Sequence, residues 1–308
     1  MMKNANEINI LNFNFSKDKL IHDYDLEYEN NATFKKIASS LDLPKDTLIK
    51  ETSKIIESSI EVDRCKKCKH LFECKNNVEG YVYYPINNNG IIEFCYIPCK
   101  YKKEMDKKTS YLNNIYSYSL PNDIKMASMK DINLDDKNRF EVITWIKKYI
   151  DDYLNGVKRK GLYLTGNFGS GKTYLLSAML NELAKNGHKV AIVYYPEFLR
   201  SLKESMYDSE DFNMKFNRVK NSELLLIDDI GAEALTPWAR DEVLGTILQY
   251  RMNNDLKTFF TSNLTIKELE QHLSITKNSI DVLKARRIIE RIKQLSIELP
   301  LIAENQRK

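Results

Sequence analysis

Long apolar runs are missing from this chain. None of its 308 residues belongs to an apolar stretch near the ~20 needed to cross a bilayer. The opening residues, MMKNANEINILNFNF, lack the charged, apolar and small-residue zones of a secretory leader, so a cytoplasmic protein with no membrane partner is expected. Charge of one sign is missing too. Lys and Arg number 47 against 43 Asp and Glu, a net +4, so composition by itself does not demand nucleic acid and local basic clusters must carry that case. Glycine is scarce at ten, and cysteine is absent everywhere except between Cys65 and Cys99. What remains is enough for a substantial core: 43% of the residues are hydrophobic, in a length that suits one or two domains.

Four of the ten glycines fall in one stretch, GLYLTGNFGSGKTYLL, from Gly161 to Leu176. Its apolar start reads as a strand and its end as a helix, with Gly166-Asn167-Phe168-Gly169-Ser170-Gly171-Lys172-Thr173-Tyr174 between them. The spacing G-x-x-x-x-G-K-T is that of a phosphate-binding loop. Glycines let the backbone curl with its N–H groups turned inward, at the positive end of the helix that follows. Residues 166–174 are therefore expected to bind ATP, with Lys172 on the β- and γ-phosphates and the Thr173 hydroxyl on Mg²⁺.

A second apolar run, Glu223 to Ile227, reads as a buried parallel strand that delivers Asp228 and Asp229 at its carboxyl end. Asp228 is expected to hold Mg²⁺ and Asp229 to polarise the attacking water. Lys189 to Tyr195 and Thr258 to Asn263 read as further strands. In a parallel sheet the end of the latter places Asn263 beside the γ-phosphate. Pro196 to Lys220 is a helical, partly basic segment, as readily a solvated face as a DNA contact. Near the end, Arg287 and Arg291 lie four apart on a helix beside Ile288, Ile292 and Leu295, a geometry that serves either an arginine finger or a salt-bridged surface. Leu295 to Pro300 reads as a last strand.

Ahead of this core, Phe34, Ile37, Ala38 and Leu41 recur at helical spacing, and Leu48, Ile49, Ile55 and Ile56 suggest another helix. The five cysteines then follow. Disulfides do not persist in a cytosolic setting, so the C-x-x-C of Cys65 and Cys68 reads as half of a tetrahedral zinc site. Cys74 and Cys99 are the next choices, with Cys95 and His70 as substitutes. Lys100 to Ser119 is polar and rich in lysine and tyrosine, the pattern of a tether, though such residues also contact single-stranded nucleic acid.

The motifs GNFGSGKTYLL, LLLIDDIGAE (Leu224 to Glu233), PWARDEVLGTILQYRM (Pro237 to Met252) and TFFTSN resemble the AAA+ helicase loaders of the DnaI/DnaC family. The resemblance implies an α/β fold: an αβα P-loop ATPase core with a parallel sheet of about five strands, over residues 126–308. It implies a helical, zinc-binding, helicase-docking domain over 1–105 and a linker over 106–125. The implied activity is ATP hydrolysis coupled to loading a DnaB-type replicative helicase hexamer onto single-stranded DNA in primosome assembly, at initiation and restart. Initiator or primosome proteins and self-association through the AAA+ interface are the further partners implied. On the matching positions Asn263 becomes sensor 1, and Arg291 is favoured over Arg287 as the finger. Family members can use a histidine between the cysteine pairs, but Gly80 to Gly90 contains none, which leaves the fourth zinc ligand open. The alternatives are a transposition-associated ATPase sharing the phosphate loop, and a nucleotide-gated adaptor with negligible hydrolysis.

Overall fold

A computed structural model describes residues 5–134, 136–276 and 279–306, without the side chains of 5–16, 276 and 279. The chain forms two compact units that meet between Thr109 and Ser110. Among the described residues no helix is long and apolar enough to cross a membrane.

The first unit begins with four helices: α1 (Ala5–Asn30), α2 (Ala32–Ser40), α3 (Lys45–Lys50) and α4 (Thr52–Lys67). Asn31 starts α2 by accepting the N–H groups of Thr33 and Phe34 on its side chain, which satisfies donors that a helix leaves open. Phe34, Ile37 and Ala38 then share one face and pack with Tyr24, Leu41, Leu48, Ile49 and Ile55 in a small core. Two strands follow, β1 (Tyr81–Asn88) and β2 (Ile91–Pro98), paired antiparallel through a turn in which Asn89 and Gly90 both have positive φ. That conformation suits Asn-Gly and matches the twist of a hairpin. Glu61 of α4, 1% exposed, anchors the hairpin by accepting the N–H groups of Asn77 (3.1 Å) and Tyr83 (2.6 Å). Helix α5 (Lys100–Thr109) ends the unit.

The second unit is a parallel sheet covered on both faces. Its elements are β3 (Ile115–Tyr118), α6 (Asn122–Lys125), α7 (Phe140–Leu154), β4 (Gly161–Gly166), α8 (Lys172–Lys185), β5 (Val190–Tyr194), α9 (Tyr195–Glu204), α10 (Ser209–Asn221) and β6 (Leu224–Asp228). After these come α11 (Gly245–Asn253), β7 (Lys257–Ser262), α12 (Ile266–Ser274), the short pair β8 (Ile275–Thr276) and β9 (Ser279–Ile280), α13 (Val282–Leu295) and β10 (Ser296–Leu301). The order across the large sheet is β10-β4-β7-β6-β5-β3, with every pairing parallel.

Because side chains alternate along a strand, β6 sends Leu224 and Leu226 to a core shared with α7 and α8, and Leu225 and Ile227 to one shared with α9, α11 and α13. Arg251, fully buried, ties the far end of the sheet: it donates to the carbonyls of Ser222 and Lys257 (both 2.7 Å) and to the Thr258 hydroxyl (2.8 Å). Burial without a counter-charge pulls its pKa down to about 9.

The sheet has six strands where about five were expected, and the extra one lies in the segment 106–125 read as a linker. Residues to Thr109 there are helical and belong to the first unit, while β3 is an edge strand of the second. Asn114 fixes its approach, donating to the Ala184 carbonyl (3.0 Å) and accepting from Lys189 (2.6 Å). The edge strand packs its own Tyr116 and Tyr118 against the core on one face and needs no apolar run, so its sequence looks polar.

Candidate functional site

Every strand of a parallel sheet ends on the same side, and there a cavity of about 900 Å³ opens in the second unit. Phe168 to Tyr174 line it, with Asp228, Asp229 and Asn263 opposite and Leu120, Ile124 and Ile132 towards one end. Two glycines make the loop possible. A side chain at Gly166 would overlap the Leu301 carbonyl of the neighbouring strand β10, and Gly171, at φ +87°, occupies the left-handed region as α8 begins. No side chain caps α8, so its first N–H groups point into the cavity.

Sequence reasoning named the residues that the structure brings together here. Lys172 donates to the carbonyls of Gly166 and Asn167 and to Asn263 Oδ1, each at 2.9 Å. Asn263 in turn donates to Asp229 Oδ1 (3.2 Å). The Thr173 hydroxyl donates to Asp228 Oδ1 at 2.6 Å. Asp229 has φ +58°, a turn that swings its carboxylate away from that of Asp228 while its N–H is held by the Thr261 hydroxyl (2.8 Å). Burial raises the Asp228 pKa, and the Asp229 charge adds to the rise, against the hydrogen bonds from Thr173 and Thr261. A carboxylate so placed gains from a divalent cation, since the ion supplies the counter-charge that burial denies it.

Within the loop the roles divide. Ser170 is buried and donates to the Asn167 carbonyl (3.0 Å). The Asn167 side chain faces away from the cavity and donates to the Ala303 carbonyl (2.8 Å), while the Gln306 N–H reaches the Gly169 carbonyl (2.8 Å). Residues 303–306 thus lie against the loop, and Gln306 also lines the cavity. Phe168 is 74% exposed at the rim.

The sequence reading missed Thr261, whose hydroxyl donates to Asp228 Oδ1 (2.6 Å) as well as accepting from Asp229. Its signal was available, two positions before Asn263 and hence on the same side of β7. It also missed the apolar end of the cavity and Arg139, which have no spacing signature.

The two finger candidates on α13 differ. Arg291 donates to the Gly245 carbonyl (2.9 Å), just past a π-helical stretch at Trp238–Leu244, whereas Arg287 is exposed and, among the described residues, makes no hydrogen bond or ion pair. Neither lines the cavity of its own chain. The basic residues of α9 and α10 have local partners: Arg200 pairs with Glu197, Lys215 with Asp211, and Arg218 lies over Tyr116.

In the first unit, among the described residues, no three His, Cys, Asp or Glu side chains are set to hold a metal ion, so the zinc site expected at Cys65, Cys68, Cys74 and Cys99 is not preformed. All five thiols are free and half-buried. N–H donors approach three of the sulfurs: Asn76 on Cys65 (3.3 Å), Gly80 on Cys74 (3.3 Å) and Lys102 on Cys99 (3.5 Å). Burial raises the Cys65 pKa, and the nearby thiols of Cys74, Cys99 and Cys68 raise it further. Cys95 points elsewhere, towards the Tyr84 carbonyl across the hairpin, and the His70 ring stacks on Phe72.

Residues 149–299 match the family described as IstB-like ATP binding protein. The replicative helicase loader DnaI of Bacillus subtilis (strain 168) is 35% identical over 292 residues, covering 94% of this chain and 92% of that protein. The replicative helicase loader DnaC of Escherichia coli (strain K12) is 20% identical over 148 residues, 48% of this chain and 59% of that protein. Among solved structures, the crystal structure of DnaI superimposes with a TM-score of 0.55 at 42% identity, over 64% of this chain and 99% of its own. A likeness that runs through both units, together with the ATP-binding core that carries the loop, places the chain in the DnaI/DnaC family of AAA+ replicative helicase loaders.

Proposed function

We propose that this protein loads a DnaB-type replicative helicase hexamer onto single-stranded DNA during primosome assembly, and that it binds and hydrolyses ATP to time its release. The observation that carries this reading is a similarity to a helicase loader that spans both units rather than the ATPase core alone. ATP enters with its phosphates on the loop 166–174. Its γ-phosphate takes the place of Asn263 on Lys172, which frees Asn263 to meet the phosphate or the attacking water. Thr173 and Asp228, already 2.6 Å apart, are the residues that would hold Mg²⁺, whose charge draws electrons from the phosphate oxygens. Asp229 orients the water. A neighbouring subunit supplies the arginine finger. Of the two candidates, Arg287 is free to project, while Arg291 must first leave the Gly245 carbonyl.

In the first unit, zinc on Cys65, Cys68, Cys74 and Cys99 closes the helicase-docking domain. The closeness of the Cys65 thiol to those of Cys74, Cys99 and Cys68 supports that set, while Cys95 turns to the Tyr84 carbonyl and the His70 ring stacks on Phe72.

The test uses the full-length chain with a replicative helicase, ATP and single-stranded DNA. Wild type should bind the helicase and turn over ATP, and Lys172→Ala should keep helicase binding while losing turnover. Turnover with no helicase binding under any nucleotide condition would sink the loader reading and leave the ATPase.

A further inference from the structure

Among the described residues, two cationic side chains line the cavity, Lys172 and Arg139. Lys172 belongs to the loop motif. Arg139 lies outside every motif, in the short 3₁₀ turn Lys137–Arg139 that leads into α7. It is 3% exposed, and its one hydrogen bond among the described residues is from Nη1 to the Asn133 carbonyl, at 3.3 Å. Its Nε is buried without a partner. A guanidinium offers five donors, so four of them are unspent in a place where water cannot serve them all. Among the described residues no carboxylate forms an ion pair with it. Burial lowers its pKa, and the Asp136 and Tyr174 charges only partly offset that. A buried, unpaired cation is costly unless something anionic completes it.

Its position says which anion. Nη2 lies 3.2 Å from where a Cβ on Gly171 would stand, so it faces the first turn of α8 and reaches the loop only because residue 171 has no side chain. Lys172 instead bonds Asn263, which in turn bonds Asp229. Arg139 thus spans from the loop at Gly171 to the Asn133 carbonyl, next in the chain to the apolar lining residue Ile132. A nucleotide with its terminal phosphates by Lys172 and its base at the apolar end presents its α-phosphate there.

We propose that Arg139 is a nucleotide-binding residue that grips the α-phosphate, a second cation set against the one supplied by the loop lysine. This rests on the ATP-binding reading above. It predicts that the contact is shared by ATP and ADP, so Arg139 fixes affinity for nucleotide as such and leaves discrimination of the γ-phosphate to Lys172, Asp228 and Asn263.

The test titrates ATP and ADP against full-length wild type, Arg139→Gln, Arg139→Met and Lys172→Ala, and records thermal unfolding without nucleotide. Charge-assisted hydrogen bonds of this kind predict a loss of about tenfold to a hundredfold in affinity for both nucleotides with Gln or Met. Unfolding without nucleotide should stay the same or rise for Arg139→Met, which keeps the packed stem and removes an unsatisfied charge. A purely structural arginine would give the reverse: a lower unfolding temperature in both variants and unchanged affinity in whichever stays folded, which overturns the proposal. A loss for ATP alone would overturn the α-phosphate assignment. If wild type binds neither nucleotide, the ATP-binding reading itself fails; if Lys172→Ala weakens binding while the folded Arg139 variants do not, only the role of Arg139 fails.

Discussion

The two units solve the problem of stability differently. The second buries a parallel sheet between two layers of helices, so that a strand such as β6 is apolar on both faces and every residue of it is buried. The first has, among the described residues, one small core of eight buried side chains and a hairpin held to α4 by Glu61, with its cysteines half-exposed. A large core tolerates a buried cavity lined with charge, which is what a nucleotide site is. A thin one gains most from a cross-link, which is the role proposed for the thiols of Cys65, Cys68, Cys74 and Cys99.

Three perturbations separate the two. The largest effect is expected from metal removal. Stripping zinc from the purified protein, or replacing Cys65 and Cys68 by serine, should unfold the first unit outright, since structural zinc contributes about 10 kcal/mol or more to such domains. ATP binding by the second unit should survive. Circular dichroism with a nucleotide titration on the same sample reads both, and a first unit that stays folded without metal would end the zinc assignment.

Next in size is Arg251→Leu, which takes their donor from the carbonyls of Ser222 and Lys257 and leaves the Thr258 hydroxyl only its bond to the Leu256 carbonyl. A cost of about 3 kcal/mol or more is expected, which for a unit of this length lowers its melting temperature by roughly 10 °C. The first unit should melt as before. Calorimetry that shows one shifted transition and one fixed transition confirms the separation; two shifted transitions break it.

The smallest effect is acid. Asp241 is held below the usual carboxylate range by its hydrogen bonds from Arg240 and then Lys284. A carboxyl with a depressed folded pKa adds stability that is present above the unfolded value near 4 and lost as pH falls through the folded one. The second unit should therefore lose some stability below about pH 4, and Asp241→Asn should flatten that part of its pH profile. A profile identical to that of wild type would show that the pair is idle.

How much of this could be read beforehand depended on whether chemistry imposed a spacing. Phosphate binding dictates glycines, lysine and threonine at fixed offsets, and a parallel strand must end in its carboxylates, so Lys172, Thr173, Asp228, Asp229 and Asn263 were legible and do converge. Arg139 was not, because one arginine before a helix has no second residue to mark it. Edge strand β3 hid behind serines and tyrosines whose rings, rather than an apolar run, cover it. The hairpin in the first unit did carry a signal, alternating residues around Asn89-Gly90, but the cysteine spacing drew attention from it. Asn167 sits inside the motif yet serves residue 303, a packing role that no motif specifies.

The pairing of β4 with β10 also has a kinetic consequence. Gly161 lies opposite Ser296 and Gly166 opposite Leu301, so one edge of the strand that launches the phosphate loop waits for partners that are made only after all the other strands of the sheet. Loop closure over such a span is slow, and intermediates with that edge of β4 unpaired are exposed to wrong pairings. On a ribosome the first unit can mature early, while the nucleotide site must wait until β10 has been made.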